Sequence, residues 1–358
     1  MFDKGYTVKD GQGARVLFPG SGTSRHALGT MLGLGADAVR SEFVDVETYQ
    51  ALEERIGRPH LRQRLGIEID HEAQIFGQGI KFFHLENWYS VHSLIRGTLR
   101  LVGLYRRGRR NAADIQIRYN DIALSSLPKS FDGYTIVQIS DPHVDMDEDI
   151  TCALIERVRA IDYDLCTLTG DYRARTFGPY AATLEGMQHL RLHLKDPIYG
   201  VLGNHDTVRL VPGLEAMGIR LLLNEAVKIE RNGEALYVAG IDDAHYYCVH
   251  NLEKAMQGIP PAAPSILLSH TPEIYRHAAH SGFDVMLCGH THGGQICLPG
   301  GFPLTWDADC PRHLAVGPWQ YHRMYGYTSV GAGSSIVNVR LNCLPEIAVH
   351  RLHAVSAQ

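Results

Sequence analysis

Tyr134–His143 reads YTIVQISDPH. A run of strand-forming residues, Tyr134 to Ile139, gives way at once to Asp141, Pro142 and His143. A short apolar run bounded by turn residues is the mark of a buried strand, so the polar residues after it sit at a strand's carboxyl end. The same sentence is written four more times. Leu165–Thr169 is followed by Gly170-Asp171-Tyr172, and Ile198–Leu202 by Gly203-Asn204-His205-Asp206. Ile266–Leu268 is followed by Ser269-His270-Thr271-Pro272, and Val285–Cys288 by Gly289-His290-Thr291-His292-Gly293-Gly294-Gln295. Further runs at Ala235–Ile241, Tyr327–Val330 and Ile347–Leu352 read as strands, the first of them followed by Asp242, Asp243 and His245. Asp149–Ala160 opens on acids and closes on arginines, as a helix dipole prefers. Glu273–Ala279 follows a helix-starting Thr-Pro pair. Strands alternating with helices define an α/β fold, and ligands bind such sheets at the carboxyl edge.

The residues delivered to that edge have one chemistry. Carboxylate, amide oxygen and imidazole without thiolate suit Mn, Fe or Zn better than a cysteine-bound structural zinc. Their number fits two ions that share a carboxylate. Two such ions, roughly 3.5–4 Å apart, clamp a phosphoryl group and generate a hydroxide nucleophile. The adjoining glycines let the backbone turn sharply and approach an anion. One D-x-H pair alone is ordinarily a turn with a solvated histidine. Five blocks in order, each at a strand end, make a hydrolytic site.

At these residues the chain resembles the calcineurin-like metallophosphoesterases, whose signature is D-x-H, G-D, G-N-H-D, H and G-H-x-H. The likeness runs from about Ile115 to Leu352. ISDPH, LTGDY, LGNHD, GIDD, SHTPE, CGHTHGGQICLPG and RLNCLPEI are similar to a bacterial branch of small phosphodiesterases, some of them membrane-anchored. That resemblance implies a four-layer α/β/β/α sandwich. It implies that Asp141, His143 and His292 hold one ion, that Asp171 bridges both, and that Asn204, His270 and His290 complete the second. His205 is then left over the substrate, donating to a phosphoryl oxygen or protonating the leaving group, with Asp206 orienting its other nitrogen. Hydroxide attack on phosphorus needs no covalent enzyme intermediate. The expected activity is hydrolysis of a phosphodiester or pyrophosphate. The alternatives are a UDP-2,3-diacylglucosamine pyrophosphatase acting on a lipid-linked substrate and a non-catalytic scaffold of the same fold. His205 departs from the best-known enzymes of that lipid-linked kind, which carry arginine there.

Other residues divide between functional and plain readings. Arg173 and Arg175 follow the Asp171 loop and are candidate phosphate contacts, with a solvated loop as the alternative. The resemblance puts Asp242, Asp243 and His245 near the site, whereas an Asx-type turn is the simpler role. Trp306, His313, Trp319, Tyr321 and His322 lie in a long segment suited to walling a substrate pocket. Cys288 ends a strand and reads as a small core residue.

The 358 residues suggest roughly two structural units. With 45% hydrophobic and 20% charged residues the chain is globular and not disordered. A net charge of −5 argues against a nucleic-acid partner. Seven cysteines, an odd number without a C-x-x-C pair, indicate neither a disulfide framework nor a cysteine zinc site. Fifteen of the 20 histidines fall after Ser140. No signal peptide and no apolar run of the ~18–20 residues that span a bilayer are evident, so a cytoplasmic protein is expected. Residues 1–112 are an N-terminal extension to a catalytic domain over 113–358. Within it, Asp45–Arg64 reads as a helix and Ile75–Phe83 as irregular. In Trp88–Arg110, the residues Trp88, Val91, Ile95, Leu99, Val102 and Tyr105 form one helical stripe beside six arginines. That segment is either a surface helix packed on the next domain or a basic helix held peripherally on the inner membrane.

Overall fold

The computed structural model describes residues 7–9, 15–17, 45–77, 89–303 and 307–355. Trp88 and Trp306 therefore lie outside the described residues, as do 78–83 of the stretch expected to be irregular. β1 (Thr7–Lys9) pairs antiparallel with β2 (Arg15–Leu17). Among the described residues four helices follow: α1 (Val46–Ile56), α2 (Arg58–Gly77), α3 (Tyr89–Leu101) and α4 (Tyr105–Ala113).

Three expectations need correction here. The helix expected over Asp45–Arg64 is two helices. Asp45 caps the first by accepting from the Thr48 N–H at 2.8 Å, and Gly57 ends it at φ +86°. Only glycine takes that conformation cheaply, and Pro59 then fits the first turn of α2, where no N–H is needed. The second helix runs through Ile75 to Gly77, where irregular chain was expected. The stripe of Trp88–Arg110 is likewise broken at Gly103, φ +72°, into α3 and α4.

The remaining strands are β3 (Gln116–Leu124), β4 (Thr135–Ile139), β5 (Leu165–Leu168), β6 (Ile198–Gly200), β7 (Arg220–Leu221), β8 (Glu225–Arg231), β9 (Glu234–Gly240), β10 (Ser265–Leu268), β11 (Val285–Cys288), β12 (Cys297–Leu298), β13 (Phe302–Pro303), β14 (Gly317–Tyr321), β15 (Met324–Thr328) and β16 (Glu346–Ala354). One six-stranded sheet has the order β3-β16-β4-β5-β6-β7, the other β14-β15-β11-β10-β9-β8, and β12 pairs with β13. β4 to β7 are parallel, as are β9, β10, β11 and β15.

Ile136, Leu165, Val201 and Ala348 of the first sheet share a core with Val238, Ile266, Leu268 and Leu287 of the second. The first sheet's other face, through Val137, Ile139, Cys166 and Leu168, packs on α5 (Glu148–Arg159), α6 (Ala181–Arg191) and α7 (Val211–Ala216). The second sheet's other face covers itself with α8 (Leu252–Met256) and α9 (Tyr275–Ser281). The layering is α/β/β/α, as the period-two alternation of apolar residues along each strand requires. Leu52, Ile56, Leu61 and Leu65 of α1 and α2 belong to the first sheet's helical core. The hydrophobic core thus crosses the boundary expected near residue 112.

Candidate metal centre

Every sequence-expected ligand stands just beyond a parallel strand: Asp141 and His143 after β4, Asp171 after β5, Asn204 after β6, His270 after β10, His290 and His292 after β11. To turn these side chains inward the backbone enters the left-handed region at Asp141 (φ 49°), His143 (41°), Asp171 (56°), His290 (72°) and His292 (49°). Non-glycine residues held in such regions cost about 1–3 kcal/mol each and cluster at functional sites. Glycine makes room where the loops close on one another. A Cβ at Gly203 would strike the Asp171 carboxylate, and one at Gly289 the side chains of Ser140 and Asp141.

The donor atoms form two groups. Those of Asp141, His143, Asp171 and His292 lie within 4.8 Å of one another, and so do those of Asp171, His270 and His290. Asp171 is common to both. His143 Nε2 stands 3.2 Å from His292 Nε2, which is 3.5 Å from Asp141 Oδ1. His270 Nε2 is 2.9 Å from Asn204 Oδ1 and 3.4 Å from Asp171 Oδ2. On their far sides, His143 Nδ1 donates to the Arg173 carbonyl and His270 Nδ1 to the Thr169 carbonyl, both at 2.8 Å. That tautomer turns a lone pair on each Nε2 toward the cluster, the form a metal takes. His290 Nε2 is buried and has no hydrogen-bond partner. An orphaned imidazole nitrogen beside shared carboxylates is the donor set of a cation site, so these residues fit divalent ions.

Electrostatics agree. Burial pushes the imidazoles of His143, His290 and His292 down, which keeps them neutral. Asp171 is buried too, yet His270 and His205 hold it well below the carboxylate range and ionised. Burial also works against charge on His270, but Asp171 prevails and raises it to about 10.

His205 joins neither donor group; its backbone N–H donates to Asp171 Oδ1 at 2.9 Å. Asp206 does not orient the imidazole as expected. His205 Nδ1 lies 3.2 Å from Thr176 Oγ1. The Asp206 carboxylate instead accepts backbone N–H groups, from Asp171 and Gly203 at 2.8 Å and from Tyr172 at 2.9 Å. Its short side chain follows a loop that points it back at the backbone it stabilises. Arg173 is buried, donating to the Gly178 carbonyl at 3.1 Å, whereas Arg175 is exposed. Asp243 shapes its own loop through the N–H groups of Tyr246 (2.7 Å) and Tyr247 (2.6 Å), the Asx role. His245 is held by Glu273 at 2.9 Å, with its ring 4.3 Å from that of His290. Trp319 does not wall a pocket. It is buried against Tyr275 on the outer face of the second sheet, its Nε1 donating to Thr328. Cys288 is a core residue. Sequence reasoning missed Arg340, which is fully buried and donates to the carbonyls of Gly333 and Val330 behind His292. It stands in the quoted stretch RLNCLPEI, but nothing local distinguishes it from a surface arginine.

Two sheets that gather buried Asp, Asn and His at their facing carboxyl edges define the class of metal-dependent hydrolases. Residues 134–294 match the model of the family described as calcineurin-like phosphoesterase. The chain is 29% identical over 261 residues to "Uncharacterized metallophosphoesterase YkoQ" of Bacillus subtilis (strain 168), covering 69% of this chain and 93% of that protein. It is 30% identical to an "Uncharacterized metallophosphoesterase" of Aquifex aeolicus (strain VF5), covering 66% and 90%. It is 29% identical to "Phosphodiesterase YaeI" of Escherichia coli (strain K12), covering 53% and 70%. Three solved structures it is similar to are longer chains, of which it spans 46–57%, at TM-scores of 0.38–0.39. The chain belongs to the calcineurin-like phosphoesterases and is a phosphoric ester hydrolase.

Proposed function

We propose that this enzyme hydrolyses phosphodiesters or pyrophosphates at a dinuclear centre. The observation that carries the reading is the sharing of Asp171 by both donor groups. Two divalent ions held there would supply positive charge at the phosphoryl oxygens and a hydroxide nucleophile. Asp141, His143 and His292 would hold one ion, Asn204, His270 and His290 the other, with Asp171 between them. His205 stands beside Asp171 with Nε2 3.9 Å from Oδ2, placed to donate a proton to a phosphoryl or leaving-group oxygen. Thr176 orients that ring, Asp206 fastens the loops, and Arg175 is the candidate contact for the rest of the substrate. The test is to strip the purified protein of metal, reload it with Mn²⁺, Fe²⁺ or Zn²⁺, and assay aryl phosphodiesters, monoesters, cyclic nucleotides and nucleotide-linked lipids. Metal-dependent diester hydrolysis is expected. Loading two ions without turning over any ester would favour the scaffold reading.

One observation favours a second reading, a lipid-linked substrate met at a membrane surface. No helix among the described residues is long and apolar enough to cross a bilayer. Yet α3 and the turn after it expose Leu94 (69%), Leu101 (88%) and Val102 (57%), interleaved with exposed Arg96 and Arg100. Exposed leucines among arginines suit the boundary of an anionic bilayer, where each basic residue gains about 1 kcal/mol. Co-sedimentation with anionic vesicles that weakens with salt is expected; no binding at low salt would reject it.

A further inference from the structure

Helix α2 touches one loop from the carboxyl edge of each sheet. On the first sheet's side, Glu68 Oε2 accepts from the Thr207 hydroxyl at 2.7 Å and Oε1 from the Val208 N–H at 2.8 Å. Arg64 donates through Nη2 to the Asp206 carbonyl at 2.7 Å. Three consecutive residues, starting immediately after His205, are thus held by two side chains of one helix. On the second sheet's side, the Arg64 guanidinium lies 3.3 Å from the centre of the Tyr247 ring and 3.8 Å from Asp242 Oδ1. His60 Nε2 bonds Asp242 Oδ2 at 2.8 Å. Arg64 and Glu68 pair with each other at 3.2 Å, and both are buried.

Burying such charges costs several kcal/mol per ion unless each is paired and hydrogen-bonded. Docking alone does not require them, because Leu61 and Leu65 of the same helix already supply an apolar contact to the core. The charges do what leucine cannot, which is to bind backbone and hydroxyl groups of a loop. That loop is also the one whose inner side is tied to Asp171, through the His205 N–H and the Asp206 carboxylate.

We propose that Arg64 and Glu68 are positioning residues of the active site, which set where the His205 imidazole and the Asn204 amide stand by holding the backbone at 206–208. The proposal rests on the phosphoesterase reading above. It makes part of the segment N-terminal to the family match a working component of the catalytic edge. Displacing a catalytic group by about 1 Å can cost roughly 100-fold in rate.

The experiment compares E68A, E68Q and H60A in the full chain, reading kcat and KM with Mn²⁺ and amide hydrogen exchange over 204–208. E68A is expected to lower kcat roughly 10- to 100-fold while KM stays within about threefold. E68Q keeps an acceptor for the Val208 N–H and recovers most of the loss. H60A loosens the other anchor of α2, leaving kcat at the parent value. Exchange over 204–208 quickens in E68A and stays parent-like in H60A. The proposal is overturned by E68A retaining kcat within about twofold, by unaltered exchange in E68A, or by H60A losing as much kcat as E68A. A parent protein that hydrolyses no phosphate ester would sink the phosphoesterase reading instead, and the exchange data would still decide whether α2 holds the loop.

Discussion

His205 is the histidine of the strand-end motifs that lies outside both donor groups, and this separates its role from that of its neighbours. H205A should lower turnover by ~10²–10⁴-fold, the usual contribution of a general acid, with metal content unchanged by elemental analysis. Loss of an ion from that variant would place His205 among the ligands. D171A is the converse case. Removing the shared donor should deplete both ions and with them the thermal stabilisation that Mn²⁺ confers on the parent. Which residue types reach the site, and in what order, was legible from the five strand-end blocks. What each side chain points at was not. The family resemblance implied Asp206 as the partner of the imidazole, but its carboxylate faces the N–H groups of Asp171, Tyr172 and Gly203, and Thr176 Oγ1 lies by the ring's Nδ1. Side-chain direction follows from φ and ψ in a tight loop, which residue type constrains only weakly.

Within α3, the face a residue occupies decides what it is worth. Leu99 is 8% exposed and packs with Val337, Val339 and Leu341, whereas Leu101 points outward. L99A should therefore cost about 2–5 kcal/mol in urea unfolding, and L101A no more than about 0.5 kcal/mol. Equal losses would mean that the helix is docked on a different face. The stripe through Ile95, Leu99 and Tyr105 was readable from spacing, but its division at Gly103 was not. A glycine inside a periodic run can be tolerated within a helix or can end it. The apolar strands β4, β5 and β11 announced themselves, while β3 did not. Its sequence QIRYNDIAL is half polar because it lies at the sheet's edge, exposing Arg118 and Tyr119.

Between the two sheets lies a polar joint on which acid stability should depend. His350 donates through Nε2 to Gln138 Oε1 at 3.0 Å, and Gln138 in turn donates to the Cys288 carbonyl of the other sheet at 2.9 Å. Burial pushes the His350 imidazole down to about 3. Folding thus keeps this residue neutral while the unfolded chain would bind a proton below its ordinary pKa of about 6.5. Its contribution is present above that value and is lost as pH falls toward 3, at up to about 1.4 kcal/mol per pH unit. The parent should lose stability between pH 6.5 and 5 more steeply than H350N, by urea midpoints at each pH. Parallel profiles would show that His350 is already protonated in the folded protein.

The sequence by itself determined the strands that end in ligands, and therefore the α/β layering and the chemistry at its carboxyl edge. Those features are local, since a buried strand must alternate or run apolar, and donors must follow it within a few residues. Only the tertiary structure decided that α1 and α2 belong to the catalytic core and that α2 grips the loop after His205. Arg64 and Asp206 are separated by 142 residues and Glu68 and Val208 by 140. Contacts over that range leave no periodicity in the chain. An arginine and a glutamate four residues apart read as a surface pair until the packing buries them both.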